Sequence, residues 1–409
     1  MKNKRKQKKI RETSNAPVYR SVVEHREETE EAAPRRHGRS LGGLLVKLMA
    51  VAAVVALLAV GWQYRDRFMP DGFLVWVDEM LGGSKGNGFP VEVNGSAAKN
   101  MTAVRDTLAY LTDTSLVILN DNGGQVVNRS HNFAEPAMKV SGNYVLVSEI
   151  GGKRVRLERR SGTVLEHTHF DAVVTAAVSE NGRFAVVSGE SKSYLSQVSV
   201  YTDHDKNIYN WYSADQVVVD LALSPDGKKM AVLGLSSEGG DICSSLMVFR
   251  LDKEESEPMT FRKKGVLLCA VQFLGNNQVA AVGDTALFTV KDGALKTVEY
   301  GDYELSGAAF SNKSVAVALR QFGTTDGGRV LAVDSSGEQR FSVSFEGTYR
   351  DLCKNGDGWL LLTNGEVVSI GRDGAVQKTE SGADSQRVVA VGNTVYVMGL
   401  TEIRQVSLK

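Results

Sequence analysis

Residues 177–187 read Ala-Val-Ser-Glu-Asn-Gly-Arg-Phe-Ala-Val-Val, and residues 222–232 repeat the phrase as Ala-Leu-Ser-Pro-Asp-Gly-Lys-Lys-Met-Ala-Val. In each stretch two apolar segments flank a polar, glycine-containing turn, which is the pattern of a β-hairpin. Weaker copies turn near residues 106, 142, 276, 312, 356 and 392. Eight turns within residues 88–409 give a repeat of about 40 residues, the size of one four-stranded blade. The sequence therefore predicts an all-β fold, an eight-bladed β-propeller; seven blades is the alternative if two weak units merge.

The two ends of the repeat array predict how the ring closes. The first blade is expected to have strands at 107–111, 115–119 and 125–130 after a short innermost strand. The last unit offers only three strands, near 388–391, 395–398 and 403–406. Residues 89–93, which precede the first blade, are the expected fourth strand. Closure by strands from both termini would remove an open sheet edge that could otherwise pair with other chains.

An apolar segment precedes the propeller. Residues 41–62 are predicted to form a transmembrane helix, because Lys47 is the only charge between Leu41 and Gly61 and the segment is about 31 Å long as a helix. The basic cluster before it predicts a single-pass protein of the cell membrane, with a cytoplasmic N-terminus and residues 88–409 outside. Cleavage of a signal peptide after residues 59–61 is the alternative. The long segment before the apolar run favours an uncleaved anchor.

The flanking segments carry charge rather than motifs. Residues 1–40 hold 12 Lys or Arg and six Glu, and are predicted to be a disordered cytoplasmic tail. This tail is either a topology signal or a contact for anionic lipid. Residues 63–87 are predicted to be an amphipathic juxtamembrane segment followed by a glycine-rich linker. Because the whole chain is neutral and residues 41–87 are balanced, residues 88–409 carry a net charge of −6. An acidic body argues against nucleic acid as a partner.

A family resemblance rests on these patterns. The phrase at residues 224–232, Ser-Pro-Asp-Gly-Lys-Lys-Met-Ala-Val, resembles the first hairpin of WD-repeat propellers, and residues 88–409 resemble quinoprotein-like propellers. The order of basic tail, single span, linker and propeller resembles a family of uncharacterised bacterial membrane-anchored propeller proteins. No unit ends in Trp-Asp, and Trp211 and Trp359 are the only tryptophans after the linker. The tryptophan-docking repeats of quinone enzymes are thus missing, and no cofactor is expected.

The candidate functional residues are few. We predict a binding or scaffold module of the cell envelope, not an enzyme, with an envelope protein or a glycan as partner. The first regions to consider are three expected insertions, at residues 235–241, 252–264 and 321–329, because function concentrates on loops of a rigid scaffold. The aromatic residues Tyr209, Trp211 and Tyr212 are a candidate contact patch. The alternative is a lyase or glycan hydrolase at the channel mouth, which would use Asp220 and Asp351, two carboxylates on predicted inner strands.

Histidines and cysteines give no strong signal. His167 and His169 are two residues apart on a predicted outer strand, so both should point to the same face. Without a third ligand they are expected to lie on a solvated strand face, and no metal site is predicted. Cys243, Cys269 and Cys353 are too few for a disulfide framework and are expected to be buried thiols.

Overall fold

The computed structural model describes residues 86–93, 100–190, 193–252 and 257–408, and also Met49, Val51, Ala52, Val54 and Val55, which are helical. The chain divides into two units, Met1–Tyr64 and Arg65–Lys409. No helix among the described residues is long and apolar enough to cross a membrane. The predicted tail (1–40), most of the predicted transmembrane helix (41–62) and residues 63–85 lie outside the described residues.

The second unit contains eight four-stranded antiparallel sheets, one per predicted blade. Blade 1 is β2 (Asn100–Val104), β3 (Thr107–Leu111), β4 (Ser115–Leu119) and β5 (Gln125–Ser130). Blade 2 is β6 (Pro136–Ser141), β7 (Tyr144–Glu149), β8 (Arg154–Arg159) and β9 (Gly162–Thr168). Blade 3 is β10 (Val173–Val178), β11 (Phe184–Ser188), β12 (Ser196–Tyr201) and β13 (Asn207–Ser213). Blade 4 is β14 (Val217–Leu223), β15 (Lys229–Glu238), β16 (Asp241–Arg250) and β17 (Met259–Lys264).

The remaining blades follow the same order. Blade 5 is β18 (Leu268–Phe273), β19 (Gln278–Gly283), β20 (Ala286–Lys291) and β21 (Ala294–Glu299). Blade 6 is β22 (Tyr303–Phe310), β23 (Ser314–Gln321), β24 (Gly328–Asp334) and β25 (Gln339–Phe345). Blade 7 is β26 (Tyr349–Asn355), β27 (Gly358–Thr363), β28 (Glu366–Ile370) and β29 (Val376–Glu380). Blade 8 is β30 (Arg387–Val391), β31 (Thr394–Met398), β32 (Glu402–Val406) and β1 (Val91–Glu92). The count of eight blades is confirmed.

The ring closes with strands from both ends of this unit, as predicted. β1 pairs antiparallel with β32, with Val91 opposite Ile403, and the next residue, Val93, donates its amide hydrogen to the Thr401 carbonyl at 2.8 Å. The ring of Phe89 lies 4.9 Å from that of Tyr396 in the same blade. The exposed edge of β32 is thereby covered, which removes a site for pairing with other chains.

The hydrophobic core is a ring of eight clusters, one at each interface between neighbouring blades. Successive side chains of a strand point to opposite faces, so each central strand serves two clusters. In β23, Val315 and Val317 pack toward blade 5 while Ala316 and Ala318 pack toward blade 7. Burial on both faces explains why these strands read as continuous apolar runs rather than alternating ones.

The antiparallel order gives the propeller two distinct ends. The turns between the first and second strands and between the third and fourth strands of every blade lie at one end, which we call the turn face. The loops between the second and third strands, and the connections between blades, lie at the other end, which we call the connection face. Gly88 donates its amide hydrogen to the carbonyl of Asn122, in the last turn of blade 1. The described chain therefore enters the propeller at the turn face.

The repeated turns bind one another around part of the ring. Asn181 donates from Nδ2 to the carbonyl of Asp226 in the next blade at 2.7 Å, and the amide of Asp226 donates to Oδ1 of Asn276 at 3.0 Å. Gly227 has a φ of 63°, and a Cβ there would meet Asn181 Oδ1 at 2.6 Å. The turn phrase that decides the fold thus also locks blades 3, 4 and 5 together.

Two expectations about exposed loops are wrong. Residues 235–241 are largely a hairpin rather than an insertion, because the ladder of β15 and β16 continues until Glu238 faces Asp241. Residues 259–264 of the second expected insertion form the outer strand β17.

The expectation that the cysteines are buried is wrong for one of them: Cys243 is buried but Cys269 is exposed, at the bulge of inner strand β18. Burial fails there because a bulge turns the side chain out of the packed faces.

Candidate functional site

Asp220 lies on the innermost strand of blade 4, directly after a β-bulge. Its Oδ2 accepts a hydrogen bond of 2.9 Å from the amide of Val271, on the inner strand of blade 5. Its Oδ1 is 3.6 Å from Nζ of Lys139, on the inner strand of blade 2. The carboxylate therefore links blade 4 to its neighbour, blade 5, and also forms an ion pair with blade 2.

Asp351 occupies the corresponding place in blade 7, again directly after a bulge. Its Oδ2 accepts a hydrogen bond of 3.0 Å from the amide of Val388 in blade 8, and its Oδ1 is 3.9 Å from Arg387. Burial raises the pKa of this carboxyl, although the Val388 amide and Arg387 act in the opposite direction. The structure places the two predicted carboxylates three blades apart, each bound to the backbone of the next inner strand. It does not bring them into one site.

The predicted aromatic patch is split between two faces of the outer strand β13. Tyr209 and Trp211 pack against the core between blades 3 and 4, with the Trp211 ring 5.2 Å from that of Phe249. Tyr212 points to the opposite face, is 53% exposed, and lies 5.0 Å from the ring of Tyr194. Strand alternation explains the division, since residues 209 and 211 share a face and residue 212 does not. Of the three, Tyr212 is exposed, whereas Tyr209 and Trp211 are half-buried.

The two histidines do share a face, but that face is buried, so the expectation of a solvated strand is wrong. His167 is 7% and His169 is 2% exposed, because Tyr201 and Phe184 of blade 3 cover them. His167 Nδ1 lies 2.6 Å from Oδ1 of Asp205, and His169 Nδ1 lies 3.3 Å from the Tyr201 hydroxyl. Among the described residues, the Nε2 atom of each ring has no hydrogen-bond partner. In the described residues no group of three or more potential ligands could hold a metal ion.

Burial gives His169 an unusual protonation equilibrium. Loss of hydration lowers its pKa to about 4, with repulsion from His167 adding to the effect and attraction from Asp171 opposing it. The imidazole therefore stays neutral between blades 2 and 3 well below the pH at which a free histidine is protonated.

A surface that the sequence did not reveal lies on the connection face. Ten large apolar side chains are exposed in the described part of the propeller, and eight of them belong to this face. The eight are Phe170, Val174, Tyr212, Val217, Ile242, Leu267, Phe322 and Leu400. The first six lie between the end of blade 2 and the start of blade 5, while Met259 and Val376 are the two on the turn face. Exposed apolar residues concentrated at one end of a folded domain indicate an interaction surface.

The same end is acidic. The described loop residues of the connection face contain ten Asp or Glu, and their only Lys or Arg is Lys153. The ten are Asp113, Glu135, Asp171, Glu190, Asp215, Asp284, Asp302, Asp326, Glu346 and Asp384. Turn-face loops differ, because basic residues such as Arg160, Lys206 and Lys228 are mixed with their acids. In the sequence, this surface corresponds to acidic residues and isolated aromatic residues, such as Phe170 and Phe322, in the loops between strands. They can be assigned to one face only after the strands have been placed.

Comparison with known protein families assigns the chain to one of them. Residues 90–408 match a family described as Family of unknown function (DUF5711). The chain belongs to this family. No curated protein sequence matches it.

Solved structures also resemble the propeller. The C-terminal WD40 domain of Sif2 matches with a TM-score of 0.57 and 12% identity, covering 80% of this chain and all (100%) of that one. BamB from Moraxella catarrhalis matches with a TM-score of 0.48 and 11% identity, over 77% and 100% of the two chains. The Cps50 (Swd1) β-propeller domain of Myceliophteria thermophila gives 0.48 and 12%, over 78% and 98%. The match to the Sif2 domain confirms the resemblance to WD-repeat propellers for the fold alone.

Proposed function

We propose that this protein is a single-pass membrane protein of the bacterial cell envelope whose propeller, outside the membrane, acts as a binding or scaffold module. Its connection face would dock a basic, partly apolar surface of another envelope protein. The observation that carries the proposal is the coincidence, at one end of the ring, of eight exposed apolar side chains with ten acidic loop residues. Apolar contacts supply binding energy, whereas complementary charge supplies orientation and partner choice.

The fold supports this role in two ways. Eight blades joined by continuous core clusters hold the connection-face loops on a rigid support, which lowers the entropy cost of binding. The chain enters at the turn face, beside Asn122, so the connection face lies at the opposite end from the entry point. A partner can dock there without displacing the entering segment. The residues between Phe170 and Leu267 form the centre of the proposed surface, because six of the eight exposed apolar side chains lie in that stretch.

The test is site-specific photo-crosslinking in intact cells with tagged full-length protein. A photoreactive amino acid replaces Phe170 or Phe322 on the connection face, which are 80% and 79% exposed. Matched controls carry it at Met259 or Val376, the two exposed large apolar residues among those described on the turn face. Mass spectrometry should identify one envelope protein joined to the first pair only, with the crosslink in a Lys- or Arg-rich segment of that protein. Equal capture from both faces, or capture confined to the controls, would refute docking at this end.

A charge-reversal series distinguishes specific docking at this surface from nonspecific binding. Glu190→Lys with Asp215→Lys places two positive charges in the proposed centre, and both positions are exposed. The matched control makes the same change on the turn face with Asp121→Lys and Glu257→Lys. Crosslinking from Phe170 should fall at least about tenfold with the first pair and stay unchanged with the second, because like charges across an interface repel. A glycan partner of neutral charge would leave both pairs at the wild-type level and would overturn the basic-protein assignment.

A further inference from the structure

A cleft opens on the turn face between blades 6 and 7. It has a volume of about 320 Å³, which is within the range of small-ligand sites. Its floor includes Phe341 of blade 6 and Trp359 of blade 7, both largely buried. Its walls come from the first turn of each blade, at residues 311–313 and 356–357. In blades 3 to 5 the equivalent turns are joined by hydrogen bonds, whereas here the cleft lies between them.

Four cationic side chains from both blades line this cleft. Lys313 belongs to the first turn of blade 6 and Lys354 to the inner strand of blade 7. Arg372 lies in the last turn of blade 7 and Arg340 on the outer strand of blade 6. All four are exposed. The cleft is thus lined by four cations, although residues 88–409 as a whole carry a net charge of −6.

The acidic groups of the cleft neutralise only part of this charge. Asp334 accepts hydrogen bonds at Oδ1 from the amides of Ser336 and Glu338, and its Oδ2 is 2.8 Å from Nη2 of Arg340. Partial burial acts to raise the pKa of Asp334, but the Ser336 hydroxyl, these two amides and Arg340 together hold it below its usual value. Asp357 is the one other acid of the lining. Within the described residues, Lys313, Lys354 and Arg372 form no ion pair.

We propose that this cleft binds a phosphate-bearing ligand. Lysine side chains act as point charges for phosphate, and a guanidinium can bind two phosphate oxygens in parallel, so Lys313, Lys354 and Arg372 supply the contacts. The volume exceeds that of a single phosphate ion, which indicates a phosphate ester: a soluble phosphorylated molecule or the headgroup of an anionic lipid. The cleft lies on the face at which the chain enters. It is separate from the connection face, so ligand binding in the cleft can be tested independently of the proposed docking function.

The first measurement is titration calorimetry of the full-length protein in neutral detergent, with inorganic pyrophosphate as the probe. Wild type should bind one equivalent. Lys313→Ala combined with Lys354→Ala should weaken binding at least about tenfold, because two charged hydrogen bonds to the phosphate oxygens are lost. Lys228→Ala combined with Lys291→Ala makes the same charge change on the turn face of blades 4 and 5, and should bind as wild type does. Equal weakening in both variants would overturn the site, because it would indicate a general field effect.

The second measurement distinguishes the source of the phosphate. Full-length protein is placed in nanodiscs of phosphatidylcholine or phosphatidylglycerol, and lysine acetylation is followed by mass spectrometry, with Lys228 and Lys291 as internal controls. Protection of Lys313 and Lys354 by pyrophosphate in phosphatidylcholine discs identifies a soluble ligand. Protection in phosphatidylglycerol discs without added phosphate identifies a lipid headgroup. No protection in either arm, together with no binding heat, overturns the proposal.

Discussion

The burial of His169 makes the stability of the propeller depend on pH in a calculable way. The side chain is 2% exposed, and its pKa in the folded protein is about 4, against an ordinary value of about 6.5. When the pH lies between these values, His169 therefore binds a proton in the unfolded chain but not in the folded protein. Stability is fully present above pH 6.5 and is lost as the pH falls toward 4. Lowering the pH from 7 to 5 should cost about 2 kcal/mol from this residue alone.

The assay is denaturant unfolding of the full-length protein at a series of pH values, followed by tryptophan fluorescence. His169→Gln serves as the comparison, because glutamine does not titrate but can still accept the hydroxyl hydrogen of Tyr201. His131, whose pKa is also lowered by burial, is present in both proteins, so the difference between the two curves isolates residue 169. The wild-type protein should lose about 2 kcal/mol more than the variant between pH 7 and pH 5. Parallel curves would show that His169 is not held neutral and would refute the reasoning.

Three further predictions concern single contacts. Replacing Glu158 with alanine should destabilise the protein by about 3–5 kcal/mol in the same unfolding assay, because it leaves two arginines of a buried ion-pair group without their shared carboxylate. Ile403→Ala should cost about 2–5 kcal/mol and lower the melting temperature, because Ile403 is fully buried in the core cluster between blades 8 and 1. No change would mean that ring closure by β1 contributes little to stability. Asp351→Ala should cost about 1–3 kcal/mol because the buried amide of Val388 loses its acceptor, while Asp351→Asn should be nearly neutral. If the asparagine variant instead abolished turnover of a cell-wall glycan at wild-type stability, Asp351 would be a catalytic residue.

Much of the fold could be predicted because the turn phrase encodes it locally. A polar turn between two apolar segments requires no knowledge of distant residues, so the eight first turns and the strands of the first blade were placed from sequence. The predicted fourth strand of the last blade followed from counting, since Ile403 and its neighbours lacked an outer partner. The hairpin of β15 and β16 was missed because its polar and glycine residues resemble a loop, while its ladder continues to Glu238 and Asp241.

The candidate sites were harder to predict because they depend on contacts between blades. Alternation placed His167 and His169 on one face, but only the neighbouring blade could reveal that Tyr201 covers that face. In the same way, nothing near Asp351 in the sequence indicates that it binds the amide of Val388, 37 residues later. The connection-face surface and the basic cleft are likewise built from residues of several loops, and each loop alone has the composition of an ordinary polar turn.

The position of β1 in the last blade also sets the order in which the protein can be completed during synthesis. Residues 86–93 leave the ribosome first among the propeller residues, yet their partner strand, Glu402–Val406, follows seven complete blades in the sequence. Those seven blades can form while the ring is still open, but the first strand stays unpaired until β32 has been made. A chain that stops before β32 would thus have two exposed edges rather than a slightly shorter propeller.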